Sequence, residues 1–131
     1  MKSIKKQIIT ADDAPQAIGP YSAAVRAGSL VFTAGQLGIN PETGEFVPGG
    51  IEEETRQALT NLGAVLEAAG SSLEQVVKTT VFIRDMDEFG QMNAVYGEFF
   101  SSDFPARSAV QPGRLPKDGA VEIEAIALIQ S

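Results

Sequence analysis

The middle of the chain constrains the fold most, because two helical patterns there enclose a strand pattern. Apolar residues recur at helical spacing over residues 51–69, and Gly70 follows as a typical residue just past a helix C-terminus. Residues 76–85 are rich in β-branched side chains, which favours a strand. A second amphipathic segment covers residues 86–100, with Asp85 as its predicted N-cap. This part of the chain therefore predicts the order helix, strand, helix.

Strand patterns flank this unit on both sides. Residues 29–37 form a β-rich run that a turn-rich segment follows, which predicts a hairpin. Residues 104–110 and 121–129 are the predicted closing strands. The expected order is β-β-α-β-α-β-β in a single domain over residues 1–131. Right-handed crossovers in such an α+β fold place both helices on one face of a mixed sheet.

The predicted strands are apolar on both sides. Val81 and Phe82 fall on opposite faces of their strand, and so do Ile123 and Ile126. Because the two helices cover only one face, the other face is expected to be buried against further subunits. The pattern therefore predicts a homo-oligomer.

Composition limits the chemistry that this chain can perform. Ten basic and seventeen acidic side chains give a net charge of −7, which argues against a nucleic-acid partner. Cysteine and histidine are both absent, which excludes a thiolate nucleophile, an imidazole base and the usual transition-metal ligands. No apolar run is long enough to span a membrane, and no signal-peptide core follows the basic start, so a cytoplasmic protein is expected.

Arg107 and Glu122 are the main candidates for chemistry. Strand alternation places Arg107 and Ala109 on one side of their strand, and it places Glu122 and Glu124 on one side of theirs. A functional interpretation is that Arg107 binds a planar anion while a nearby glutamate activates a water molecule. The alternative is a structural Arg–Glu salt bridge, at a sheet edge or at a contact between subunits, and the pattern alone favours this alternative.

Three further residues are weaker candidates. Tyr21 follows a Gly-Pro pair that fixes a turn, and it either lines a cleft or packs on the surface. Gly35 is an isolated glycine in a strand pattern, which predicts a bulge or a close ligand contact. Asn93 lies on the polar flank of the second helix, where a solvated side chain is the ordinary interpretation.

Taken together, six stretches resemble the reactive intermediate deaminase (RidA/YjgF) family. They are AIGPYSAAV, TAGQLGINPETGE, QALTNLGAVLEAAGSSLEQVVKTTVFIRDMDEF, NAVYGEFF, FPARSAV and RLPKDGAVEIEAIA. The resemblance implies a fold similar to chorismate mutase and a homotrimer with ligand sites between subunits. It also implies hydrolysis of 2-imino acids and their 2-enamine tautomers, such as 2-aminoacrylate, to 2-oxo acids and ammonia, which protects PLP enzymes. No cofactor and no metal are implied.

The resemblance also implies roles for individual residues. Arg107 would bind the substrate carboxylate, and Glu122 would position and activate the attacking water. Tyr21 would line the cleft as a third catalytic residue. Gly35 would contribute an amide contact to the substrate, and Asn93 would reach the substrate from the second helix.

Two positions depart from the family pattern. Ala34 stands where a serine is frequent, and Ala109, whose backbone would also contact the substrate, stands where a cysteine is frequent. The first change removes a hydroxyl contact, and the second excludes a thiol role. Two other functions stay open: a non-catalytic module that binds small ligands, and a ribonuclease or translation inhibitor, which the acidic charge disfavours.

Overall fold

The computed structural model describes residues 3–130, which form one seven-stranded mixed sheet and two α-helices. The strands are β1 (Gln7–Ile9), β2 (Ala24–Ala27), β3 (Leu30–Thr33), β4 (Gln36–Leu37), β5 (Val76–Ile83), β6 (Ala106–Val110) and β7 (Val121–Leu128). The helices are α1 (Gly50–Ala68) and α2 (Phe89–Phe99). The strand order across the sheet is β1-β2-β3-β7-β5-β6, and β4 pairs with β7 beside β3.

The helices pack on one face of the sheet because each carries an apolar stripe. Leu59, Leu62 and Leu66 of α1 are fully buried, and they share one core with Val81 of β5 and Ile123 of β7. The connection from β5 through α2 to β6 joins two parallel strands, whereas the other strand pairs are antiparallel. The predicted α+β class, with two helices on one face of a mixed sheet, is therefore confirmed.

The order of elements is confirmed from α1 onward, but the segment before α1 differs from the prediction. It contains four short strands instead of two, because β1 and β2 add an antiparallel pair at the sheet edge. These strands have only three and four residues, so their side-chain pattern is too short to be distinctive.

The predicted strand over residues 29–37 is interrupted. β3 and β4 both pair with β7, and they are separated by Ala34 and Gly35, where the Thr33 hydroxyl accepts a hydrogen bond from the Ala125 backbone. The bulge that Gly35 predicted lies at this break. The predicted hairpin after β4 is present in a short form: Ile39 and Phe46 form an antiparallel bridge. The Asn40 amide donates to the Glu45 carbonyl at 2.8 Å, and the Val47 amide donates to the Gly38 carbonyl at 3.0 Å.

The sheet face opposite the helices, called the open face below, is partly apolar. The strand register aligns Ile8, Val25, Phe32 and Ile126 in a row across four strands. Phe32 is 42% exposed and Ile8 is 51% exposed. The predicted apolar second face is therefore present, and in the single chain it is open to solvent.

Candidate active site

A groove of about 690 Å³ lies at the end of the sheet where β4 meets β7. Its walls come from the loops around residues 15–18 and 41–44 and from a 3-10 turn at Pro116–Asp118. Four of the predicted site residues line it, namely Tyr21, Ala34, Gly35 and Glu122. The fold therefore gathers in one place residues that are far apart in the chain.

Glu122 lies at the base of this groove, close to the backbone of Gly35. It sits opposite Leu37 in the pairing of β4 with β7, and its side chain is half-buried. A β-carbon at position 35 would lie 2.7 Å from the Glu122 carboxyl group, so the close approach requires glycine. The break between β3 and β4 thus makes room for the carboxylate.

The surroundings of Glu122 favour the protonated form of its carboxyl group, compared with the same group in water. Burial raises the pKa of the Glu122 carboxyl, and the nearby charge of Glu124 raises it further. No cation among residues 3–130 lies within salt-bridge distance of Glu122. Glu122 is therefore a carboxylate with an increased affinity for a proton, which suits a general base.

Tyr21 forms one wall of the groove from the loop after Gly19. Gly19 has a positive φ of 149°, and its carbonyl accepts a hydrogen bond from the Tyr21 amide at 2.9 Å. This turn holds the Tyr21 ring, which is 52% exposed, beside the groove. Ala34 is also in the groove wall, but its amide is already bonded to the Ala23 carbonyl at 2.8 Å.

Arg107 occupies a different place, against helix α2. Its Nη1 donates a hydrogen bond to Asn93 Oδ1 at 2.7 Å. The guanidinium carbon lies 4.6 Å from the centre of the Tyr96 ring and 5.4 Å from that of Phe89. We call these four side chains the arginine site.

No carboxylate among the described residues pairs with Arg107. The three ion pairs within residues 3–130 join Arg56 to Glu53 and Glu98, and Arg114 to Asp118. The alternative of a salt bridge between Arg107 and a glutamate of the same chain is therefore wrong. The positive charge of Arg107 remains available for an anion from outside the chain.

Within one chain the sheet separates Arg107 from Glu122. Arg107 pairs with Thr79 on the helix-covered face, and Ala109 shares that side of β6. Glu122 alternates with the buried Val121 and Ile123 and therefore projects from the open face. The structure thus places Tyr21, Ala34, Gly35 and Glu122 together, and it places Arg107, Asn93 and Ala109 elsewhere.

The aromatic members of the arginine site were missed by reasoning from the sequence. Phe89, Asn93 and Tyr96 follow one another at spacings of four and three residues, so they form a single stripe on α2. The sequence pattern predicts only that Asn93 lies on the polar flank of this helix. The common stripe was the signal that could have joined them to Arg107.

Lys117 is a groove residue for which the sequence predicts only a charged loop. It and Asp118 both have positive φ angles, 54° and 59°, which non-glycine residues seldom adopt. The Arg114–Asp118 ion pair and a hydrogen bond from Arg84 to the Asp118 carbonyl hold this turn. The turn brings a cation to the rim of the groove.

The part of the chain that the structure describes offers no cluster of three or more potential metal ligands. None of the helices over residues 3–130 has the length and apolar character needed to cross a membrane.

Comparison with known proteins identifies close relatives over nearly the whole chain. The family model described as Endoribonuclease L-PSP matches residues 11–129. A RutC family protein of Pyrococcus horikoshii is 54% identical over 93% of this chain and 97% of its own length. A 2-iminobutanoate/2-iminopropanoate deaminase of Bos taurus is 51% identical over 98% of this chain and 93% of its own length.

Solved structures agree with this assignment. The crystal structure of E. coli TdcF with bound serine superposes with a TM-score of 0.90, at 46% identity over 95% of this chain and 99% of that chain. The YjgF gene product of E. coli gives a TM-score of 0.90 at 45% identity with the same coverage. The chain belongs to the RidA/YjgF (endoribonuclease L-PSP) family.

Proposed function

We propose that the protein hydrolyses 2-iminobutanoate, 2-iminopropanoate and their enamine tautomers to 2-oxo acids and ammonia. Mammalian relatives that carry this activity in their names are 45–51% identical over 98% of the chain. The observation that carries the proposal is a pair of unpaired charges. Within residues 3–130, no carboxylate lies within salt-bridge distance of Arg107, and no cation lies within that distance of Glu122. A small imino acid needs one group for its carboxylate and another to activate water.

Arg107 binds the substrate carboxylate in this proposal. Its guanidinium has five N–H donors in a planar fork that matches a carboxylate. Asn93 takes up one of them, so the fork keeps donors for a ligand. Aromatic faces beside the guanidinium partly shield it from water, which strengthens its attraction for an anion.

Glu122 acts on the water molecule. As the water oxygen bonds to the imine carbon, the C=N electron pair moves onto nitrogen and Glu122 accepts a proton from the water. Glu122 then passes this proton to that nitrogen, which gives the neutral carbinolamine. Glu122 next takes the hydroxyl proton of the carbinolamine and delivers it to the nitrogen, so that the C=O bond forms while the C–N bond breaks and ammonia leaves. One imine and one water thus give one 2-oxo acid and one ammonia, with Glu122 regenerated.

We further propose that a complete site forms between two copies of the chain, in a homotrimer. Arg107 and Glu122 project from opposite faces of one sheet, so a second copy is needed to bring one of each together. The apolar row on the open face supports association, because exposed apolar rows of this kind are unfavourable in water. Each chain thereby contributes its Arg107 to one site and its Glu122 to another.

The test uses a PLP-dependent dehydratase to generate the imine in the presence of semicarbazide, which traps whatever is not hydrolysed. The wild-type protein should decrease semicarbazone formation. Arg107→Ala should lower kcat/KM by roughly 100-fold, since it removes a charge-assisted, bidentate contact. Arg56→Ala is the matched control, because Arg56 pairs with glutamates on the helices and should leave the rate unchanged. A wild-type rate in Arg107→Ala would contradict the assignment.

The description of the matching family model favours ribonuclease activity as a second candidate. The net charge of −7 and the absence of histidine weigh against it. We expect no RNA cleavage by rigorously purified protein. Cleavage that persists in Arg107→Ala, together with no imine hydrolysis, would favour the ribonuclease.

A third candidate is a binding module that holds small 2-oxo or amino acids without turnover. It would use the same unpaired Arg107. Tight binding of such acids without any acceleration of imine hydrolysis would favour this candidate over the deaminase.

A further inference from the structure

The guanidinium of Arg107 lies against two aromatic rings on helix α2. The Tyr96 ring centre is 4.6 Å from its central carbon, and the Phe89 ring centre is 5.4 Å away. Both distances are within the range of a cation–π interaction. Since Phe89 and Tyr96 are separated by two helical turns, the two rings form one wall along the helix.

Tyr96 is itself held firmly. It is only 6% exposed, and its hydroxyl shares a 2.8 Å hydrogen bond with Thr79 Oγ1. Its ring packs against Phe100 with the centroids 4.7 Å apart. Burial raises the pKa of the Tyr96 phenol, which therefore stays neutral at physiological pH.

Tyr96 also contacts the strand next to the one that carries Arg107. Thr79, the hydrogen-bond partner of Tyr96, is the register partner of Arg107 in the parallel pair of β5 and β6. Asn93, which accepts from Arg107 Nη1, lies between the two rings on the helix. The guanidinium is therefore contacted from helix α2 by the two ring faces and by the Asn93 amide oxygen.

We propose that Tyr96 is a positioning residue for substrate binding, which holds the plane of the Arg107 guanidinium through the face of its ring, with Phe89 as the weaker second support. This inference rests on the proposed role of Arg107 as the carboxylate-binding group. Tyr96 does not touch the substrate. Its ring stops the arginine from turning into solvent, so less conformational entropy is lost when the anion binds.

The test compares three single variants with the wild type. Tyr96→Leu removes the ring, and Tyr96→Phe keeps the ring but removes the hydroxyl. Phe100→Leu is the matched control, because it removes a neighbouring buried ring that stacks on Tyr96 without being part of the arginine site. Binding of 2-oxobutanoate, a stable 2-oxo acid with the same carboxylate, is measured by NMR titration, and KM for the imine is measured in the coupled assay.

Tyr96→Leu should weaken 2-oxobutanoate binding and raise KM by about 3- to 30-fold, the range expected for loss of a partly desolvated cation–π contact. Tyr96→Phe should show a smaller loss than Tyr96→Leu, because it retains the ring face and removes only the hydroxyl, which also lies close to Arg107. Phe100→Leu should remain within about 2-fold of the wild type, since both ring faces beside Arg107 are retained. Wild-type binding by Tyr96→Leu would overturn the proposal. An equal loss in Phe100→Leu would also overturn it, because loosening of the core would then explain the effect.

Phe89→Leu provides the same test if Tyr96→Leu does not fold. Phe89 is only partly buried, and the greater distance of its ring predicts a smaller loss than that of Tyr96. No loss at all in Phe89→Leu would then contradict the proposal.

The binding measurement separates this inference from the proposed activity. If the wild type binds 2-oxobutanoate but hydrolyses no imine, the deaminase proposal fails while the role of Tyr96 is still decided by the titrations. If imines are hydrolysed but 2-oxobutanoate binds too weakly to detect, the KM values decide it.

Discussion

Glu122 needs its charge in order to accept a proton, and its surroundings oppose that charge. Burial is the main cause of its raised pKa, and the like charge of Glu124 is the second. Only the ionised form can accept a proton from water. Deaminase activity should therefore fall as the pH decreases through a midpoint above the ordinary range of a glutamate, about 4.3.

Changing Glu124 to Gln should move this midpoint to lower pH. The substitution removes the like charge, so ionisation of Glu122 becomes easier while burial still opposes it. The measurement is kcat/KM as a function of pH, corrected for uncatalysed hydrolysis of the imine. Glu74→Gln, at an exposed position away from the groove, should leave the profile unmoved. A midpoint that stays in place in Glu124→Gln would show that the charge of Glu124 does not reach Glu122.

For single site residues, the sequence predicts the side of the strand on which a residue lies but not the face of the sheet to which that side belongs. Alternation along a strand correctly assigned Glu122 and Arg107 each to one side of its own strand. It could not show that these sides belong to opposite faces of the sheet, because this depends on how β6 and β7 are each paired with β5. The contact between Tyr96 and Arg107 could not be predicted either, since a tyrosine on the apolar face of a helix ordinarily belongs to the core.

At the scale of elements, length decided what could be predicted. α1 has nineteen residues and β7 has eight, so their periodic patterns are long enough to be distinctive. β1, β2 and β4 have two to four residues each and exist only because a neighbouring strand supplies their hydrogen bonds. The break between β3 and β4 left a local signal in Gly35, although the signal did not distinguish a bulge from a ligand contact. The structure shows that the same glycine makes room for Glu122.

Gly35→Ala tests the importance of this break. The new methyl group would lie 2.7 Å from the Glu122 carboxyl, so the carboxylate must move. We expect kcat to fall by about 100-fold, as for a catalytic group displaced by roughly 1 Å, with a smaller effect on stability. The readouts are kcat and the thermal unfolding midpoint.

Gly97→Ala is the control for replacing a glycine. Gly97 lies in α2, and a β-carbon there would meet nothing within 4 Å. Alanine should preserve activity and stabilise the helix by about 0.5–1 kcal/mol. Full activity in Gly35→Ala would show that the position of Glu122 is not critical.

At the scale of the whole molecule, the apolar row on the open face should determine the state of assembly. Phe32 lies in this row and is 42% exposed in the single chain, so a charge there should spare the monomer fold while disfavouring association. Phe32→Glu should shift the protein from a species of about three times 13.8 kDa towards the monomer. It should lose deaminase activity in parallel.

Light scattering coupled to size exclusion measures the mass, and circular dichroism checks that the variant is folded. Phe32→Leu keeps the apolar character and should stay assembled and active. A wild type that remains monomeric at micromolar concentration would contradict the proposed trimer.

Because Arg107 and Glu122 lie on opposite faces of the sheet, two inactive variants should complement each other. Arg107→Ala and Glu122→Gln should each be inactive alone. Unfolding and refolding an equal mixture of the two variants should restore about one quarter of the sites, because some subunit interfaces then combine an intact arginine with an intact glutamate. Mixing without recovery would mean that both groups act from one chain. If the complementation succeeds, one subunit that is defective in both residues inactivates the sites at two subunit interfaces. A mutant allele expressed beside a normal one would then inactivate a larger fraction of the active sites than the fraction of subunits that it encodes.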